Sequence, residues 1–163
     1  MKKFSRAILW ALFIVYCLIV MYLVFFSRGF RTQYTYSYYF KYFTNFIPLK
    51  TIVHYIQIYC KGWQSLAIFN LLGNFVLFLP MGMLLPCVFK KIDRLWKVTL
   101  CVFITVILVE ATQFLLRVGI IDVDDLIFNV VGAMIGYGII KIPCIRKAFL
   151  KVGLLERKED TVE

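Results

Sequence analysis

Four stretches of this chain are continuously apolar, residues 7–27, 66–89, 98–116 and 125–142, with polar or basic segments between them. About 20 apolar residues suffice to cross the hydrocarbon core of a bilayer, so the pattern predicts four transmembrane helices. The first run is long for a signal peptide. It ends in Phe25-Phe26-Ser27-Arg28 without a small-x-small cleavage signal, and it reads as an uncleaved helix. The second is interrupted by Asn70, Gly73, Asn74, Pro80, Gly82 and Pro86. Pro80 removes a helical hydrogen bond and predicts a kink in mid-membrane, which is tolerated only where neighbours satisfy the freed carbonyl.

The longest polar connection, residues 28–65, opens with a tyrosine-rich run over 34–42 suited to the headgroup layer. Pro48 marks a break. Ile52, Val53, Ile56 and Tyr59 then lie at helical spacing, which fits a short helix in the membrane interface or one packed on the bundle.

Composition sharpens the class. Hydrophobic residues make up 62% of the 163, more than a soluble fold of this length can bury. The net charge of +10 is spread over loops and tails, not along one helix face, which argues against a nucleic-acid partner. It reads instead as topology: with both termini inside, thirteen Lys and Arg fall on the cytoplasmic side and six outside. On that count Trp10 and Trp96 sit near the inner interface and Trp63 near the outer one. The five cysteines show no CxxC or metal-type spacing and read as small hydrophobes. The expected fold is therefore all-α and polytopic: four transmembrane helices, N-in and C-in, with an outer interfacial helix between the first two spans. Residues 1–145 form the membrane domain and 146–163 a basic, charged cytoplasmic tail ending in a frayed segment.

The polar residues inside these spans carry the functional signal. Glu110, Gln113 and Arg117 stand at i, i+3 and i+7 on one helix face. Asp125, Asn129, Gly132 and Gly136 form a stripe on the next helix. With Arg28, Asn70, Asn74 and the acidic turn Asp122–Asp125, they all come to one depth near the outside. A carboxylate at the depth of Glu110 costs at least a few kcal/mol (on the order of 3) unless it is paired, protonated or hydrated. Arg117 is too far along the helix to reach it. Arg28 or the amides of Asn70 and Asn74 are the better candidates.

Each of these has a plainer reading. Glu110 with an arginine could be a structural pair, and Asn70, Asn74 and Gln113 interhelical glue. Gly132-x-x-x-Gly136 fits close helix packing better than ligand contact. Asp124 or Asp125 could simply cap the fourth helix. The functional reading of Asp122-x-Asp124-Asp125, a divalent ion held beside a phosphate, is set against how common short acidic clusters are. His54, the only histidine, reads as interfacial, and no phosphate-binding loop or dinucleotide fingerprint is present.

Taken in order, Asn45-Phe46-Ile47-Pro48, Asn70-Leu71-Leu72-Gly73-Asn74, Phe78-Leu79-Pro80-Met81-Gly82, Glu110-x-x-Gln113 and Asp122-Val123-Asp124-Asp125 with Asn129, Gly132 and Gly136 resemble the VanZ-like family. These are small bacterial membrane proteins named after the teicoplanin-resistance protein VanZ. The likeness runs over roughly residues 24–140. It implies a four-helix protein of the bacterial plasma membrane, associated with glycopeptide resistance. It implies no mechanism, and the tyrosine-rich loop and basic tail are not part of it.

The residues favour a binding or modulating protein at the outer leaflet. Arg28 and Arg117 would clamp an anionic group, with Asn70, Asn74, Gln113 and Asn129 orienting it beside Glu110, Asp124 and Asp125. The partner would be a polyprenyl-linked cell-wall precursor or a lipoglycopeptide, and no cofactor is expected. The rival is an intramembrane enzyme acting on a lipid phosphate or pyrophosphate. Glu110 would be its general acid/base and Asp124 and Asp125 would hold a metal ion, but no nucleophile is evident. A small channel is a weaker third reading, since the polar stripe stops before the inner half.

Overall fold

The computed structural model describes residues 2–26, 28–61 and 64–155, with side chains placed for 4–26, 28–61 and 72–155. Its first helix, α1 (Lys2–Met21), widens at its end into one π-helical turn, Tyr22–Phe26. A short helix α2 (Tyr36–Tyr42) follows, capped at its N-terminus by the Thr35 hydroxyl accepting from the Tyr38 N–H. Next come a two-residue strand β1 (Thr44–Asn45) and helix α3 (Lys50–Cys60). The long helices are α4 (Gln64–Val88), α5 (Leu95–Leu116) and α6 (Val123–Lys141), with strand β2 (Ile121–Asp122) between the last two. Helix α7 (Pro143–Val152) starts with proline at its first position, where a missing N–H costs nothing.

Three helical stretches, Phe4–Phe25, Leu95–Leu116 and Val123–Lys141, are long and apolar enough to cross a membrane. The apolar part of α4 with described side chains, Leu72–Val88, is shorter. The second expected span, residues 66–89, therefore depends partly on residues 64–71, whose side chains lie outside the described set, as do Trp63 and the charged segment 156–163. Helix α4 continues unbroken through Pro80 and Pro86.

The tightest packing joins α4 and α6. A Cβ on Gly132 would overlap the Phe75 carbonyl, one on Gly136 the Leu79 carbonyl, and one on Gly82 the Ala133 carbonyl. Backbone lies against backbone here because these positions have no side chain, and small residues are what let helices approach this closely without a hydrophobic driving force. Phe78 and Leu85 of α4, Val98, Val102 and Val106 of α5 and Ala133 of α6 make the buried cluster beside this seam. The three valines repeat at i and i+4, so β-branched side chains present one stiff ridge.

One end of the bundle is closed by the segment between α1 and α3, stitched onto the turn between α5 and α6. Strands β1 and β2 pair in parallel, Thr44 with Ile121 and Asn45 with Asp122. Arg31 N–H donates to the Arg117 carbonyl at 2.8 Å, and Phe30 bridges Val118. Tyr39 is fully buried and donates its hydroxyl to the carbonyls of Val118 (3.0 Å) and Gly119 (3.2 Å). Burial pushes that hydroxyl above its ordinary pKa, so it stays a donor at any physiological pH. Tyr39→Phe should therefore cost about 1–3 kcal/mol, the penalty for leaving buried carbonyls without a donor. Thermal unfolding in detergent would show it, and an unshifted midpoint would mean the stitch carries no weight.

The other end gathers basic residues. There Trp10, Phe13 and Phe89 meet edge to face, Tyr137 donates its hydroxyl to the Asp93 carbonyl at 2.7 Å, and Lys97 pairs with the Asp93 carboxylate. Helix α7, Pro143–Val152, spans residue 146, where the charged tail is expected to begin.

Candidate functional site

The site is built at the stitched end, and its first element is the π-helical turn. Gln113 of α5, almost fully buried, donates its Nε2 to the Val24 carbonyl at 3.0 Å. A widened turn frees carbonyls from the helical ladder, and a side chain from a neighbouring helix takes one of them. That bond ties the end of α1 to α5 and fixes where the chain emerges as Arg28.

The Arg28 guanidinium then reaches two other helices. Its Nη2 donates to Asn74 Oδ1 of α4 at 2.9 Å, and its Nη1 to Asp125 Oδ2 of α6 at 3.2 Å. Both the Arg28 and Asp125 side chains keep some exposure, 28% and 17%, so the pair faces open space and not the core. Glu110 lies against the Asp122 backbone, in electrostatic reach of Asp125 and Arg28. Its Oε2 is buried without a hydrogen-bond partner.

The acidic turn is divided between three jobs. Asp122 is the N-cap of α6: its Oδ1 accepts from the Asp124 N–H at 2.9 Å and from Asn45 Nδ2 at 3.0 Å, while its Oδ2 takes the Thr51 hydroxyl. This corrects the expectation that Asp124 or Asp125 caps that helix. Asp124, fully buried, caps a different one. Its two oxygens accept the N–H groups of Leu49 (2.6 Å) and Thr51 (2.9 Å) at the start of α3. Leu49 stands at that helix terminus with a φ of 67° and no side-chain cap of its own, so the carboxylate supplied from α6 is what satisfies those donors.

Suspended in this way, α3 turns Lys50, Thr51, His54 and Tyr55 toward Arg28, and together they enclose an open cavity of about 740 Å³. Asn74, Asp122, Asp125 and Arg31 also line it. The Arg31 guanidinium is parked 4.7 Å over the Phe43 ring. Burial, and after it the carboxylates of Asp125 and Asp122, push the Tyr55 hydroxyl above its ordinary pKa, which keeps it a proton donor on the cavity wall.

Of the residues singled out from the sequence, the fold brings Arg28, Asn74 and Asp125 onto the cavity wall. Gln113, Glu110, Asp124 and Asn129 stand behind it and do not line it. Asn129 is buried with its Oδ1 unpartnered. The side chain of Asn70 lies outside the described residues. Arg117 does not join Arg28. It ends α5 in a left-handed conformation, donates Nη1 to the carbonyls of Thr32 (3.1 Å) and Tyr34 (2.5 Å), and stacks 4.6 Å over Tyr36. A guanidinium so engaged holds the loop and offers nothing to the cavity. Asp124 is likewise committed to backbone donors, so it is not placed to share a metal ion with Asp125. No group of three His, Cys, Asp or Glu converges as metal ligands among the described residues.

Sequence reasoning missed Arg31, Lys50, His54 and Tyr55 as wall residues and Asn45 and Thr51 as the pins of α3. The i, i+4 spacing of Lys50 and His54 was the available clue.

A family model described as VanZ/LLP1 matches residues 13–146 of the chain. Protein VanZ of Enterococcus faecium is 34% identical over 67 residues, covering 41% of this chain and 41% of that protein. The aligned part is thus well under half the length of that relative. No solved structure matches.

Proposed function

The chain belongs to the VanZ/LLP1 family, and on that premise we propose that it is an anion-binding protein of the bacterial plasma membrane. The cavity opens at the outer leaflet and receives the anionic group of a lipid-linked cell-wall component or a lipoglycopeptide. In that reading α4 is the second of the four spans: its 25 residues extend about 37 Å at 1.5 Å each, more than the hydrocarbon core. The excess of Lys and Arg at the opposite end favours both termini in the cytoplasm, and α3 then lies at the outer surface. A role in glycopeptide resistance is part of the same proposal.

The observation that carries it is the setting of Arg28. A partly exposed guanidinium is oriented by Asn74 and Asp125 from two helices, on the wall of a cavity that also presents Arg31, Lys50 and His54. Orienting partners fix the fork before a ligand arrives, which suits bidentate recognition of phosphate or carboxylate. The lysine and the histidine sit on the exposed side of the cavity, where a headgroup would enter.

Arg28→Gln should weaken binding of farnesyl diphosphate to the purified protein in nanodiscs by about 2 kcal/mol or more, roughly 30-fold. In cells the same variant should reach the membrane normally and lose protection against teicoplanin. Unchanged affinity together with unchanged protection would remove the anion site from the account.

A further inference from the structure

Arg28 is a cation that already has a counterion. Its partner Asp125, at 3.2 Å, lines the same cavity; Asp122 lines it too, but of the three acids of the turn it is Asp125 that pairs with Arg28. Asp124 is occupied by backbone N–H groups, and Asp122 by Asn45, Thr51 and the Asp124 N–H. Asp125 alone spends its charge on the group that would meet a ligand. Glu110 adds a second carboxylate in electrostatic reach of both.

We propose that Asp125 is a built-in competitor for Arg28, making the cavity selective for groups with two or more negative charges, a phosphomonoester or a diphosphate, over singly charged phosphodiesters. The inference rests on the anion-binding reading above. A singly charged anion can take Arg28 only by stripping Asp125 of its counterion in a half-buried setting. One ion pair is then exchanged for another, and a stranded carboxylate is left behind. A doubly charged group can engage Arg28 and, at the same time, Arg31 or Lys50 on the same wall, and that second ion pair offsets the stranded carboxylate, which a singly charged group cannot do. The device has a purpose in a bilayer. Phosphodiester headgroups are abundant there, and an unpaired arginine would be filled by them, so a fixed acid at the site acts against the wrong ligand.

Full-length protein in nanodiscs of zwitterionic lipid is titrated with inorganic pyrophosphate, farnesyl diphosphate and phosphatidylglycerol. The wild type should prefer farnesyl diphosphate over phosphatidylglycerol by about tenfold or more. Asp125→Asn should raise phosphatidylglycerol affinity by about tenfold and erode that preference, since the amide keeps the shape and removes the charge. Asn74→Asp should do the reverse, adding a second carboxylate beside Arg28, weakening phosphatidylglycerol by about tenfold and farnesyl diphosphate by less, so that the preference widens; it carries the test if Asp125→Asn does not stay folded. Pyrophosphate binding as tightly as farnesyl diphosphate identifies a free diphosphate as sufficient, and a strong excess for the prenyl compound identifies a lipid-borne one. Equal binding of both lipids to the wild type, or no response in the folded variants, overturns the competitor and leaves the anion site standing. Failure of the wild type to bind any of the three removes the anion-binding reading itself.

Discussion

Asp124→Ala is expected to leave the long helices intact and unfasten α3. The carboxylate is fully buried, and both oxygens accept N–H groups from the start of α3. That helix has no buried residue, so little apolar burial is available to hold it once the cap is gone. Removing the acid orphans two donors and takes a negative charge from a helix N-terminus. Together these cost about 2–5 kcal/mol. Hydrogen exchange followed by mass spectrometry should show amides 49–60 exchanging on the order of a hundredfold faster, with α5 and α6 unchanged, because local opening is governed by local stability. Ligand binding should fall with it, since Lys50 and His54 leave the cavity. Asp124→Asn, which keeps one acceptor oxygen, should sit between the two. Equal protection of residues 49–60 in the wild type and the alanine variant would show that α3 is held by something other than this carboxylate.

A larger effect is expected at the α4–α6 seam. The atom that a Cβ on Gly136 would strike is the Leu79 carbonyl, and on Gly132 it is the Phe75 carbonyl. These are backbone atoms in a helix and cannot rotate aside as a side chain would. The helices must separate, which forfeits close packing along the seam and along the cluster around Phe78 and Ala133. Gly136→Ala should cost about 3 kcal/mol or more, at or beyond the upper end for overpacking a close-packed interior, and Gly132→Ala with Gly136→Ala should prevent folded protein from accumulating. Gly73 and Gly138 are the internal controls. A Cβ at either meets nothing within 4 Å, so alanine there should be neutral or stabilising by up to about 1 kcal/mol through helix propensity. Monodispersity on size exclusion and the midpoint of thermal unfolding report both. If Gly136→Ala melts where Gly138→Ala does, the close approach is not what holds these helices together.

The long apolar runs were legible because a helix in lipid must be apolar on every exposed face, and helices long enough to span were found at α1, α5 and α6. The Gly132–Gly136 stripe was legible for a related reason: small residues four apart mark where another helix comes close. Arg28, Asn74 and Asp125 could be grouped because an ionisable residue among apolar ones has few places to go. What could not be read was anything set by two-residue pairing across long separations. The parallel bridge of Thr44–Asn45 with Ile121–Asp122 leaves no periodicity, yet it hangs α3 over the cavity and brings Lys50 and His54 to its wall. Arg117 misled for the opposite reason. Its spacing from Glu110 put it on the right helical face. A left-handed residue at the helix end then turned the side chain onto the carbonyls of Thr32 and Tyr34, a change of direction that heptad-style spacing does not encode. The three aspartates of one short turn look alike in sequence. They differ only in which donors the fold brings to them: the backbone of another helix for Asp124, two neutral side chains and one backbone N–H for Asp122, and a guanidinium for Asp125.

The central claim is that the cavity walled by Arg28, Asn74, Asp125 and one face of α3 is where an anionic headgroup binds. A diazirine-bearing farnesyl diphosphate, photolysed with the full-length protein in nanodiscs and mapped by mass spectrometry, tests it directly. Adducts on residues 28–31, 45–55 and 73–74, suppressed by excess pyrophosphate, are the predicted result. Adducts confined to α7 or to the loop between α4 and α5, or labelling that pyrophosphate does not suppress, would contradict it.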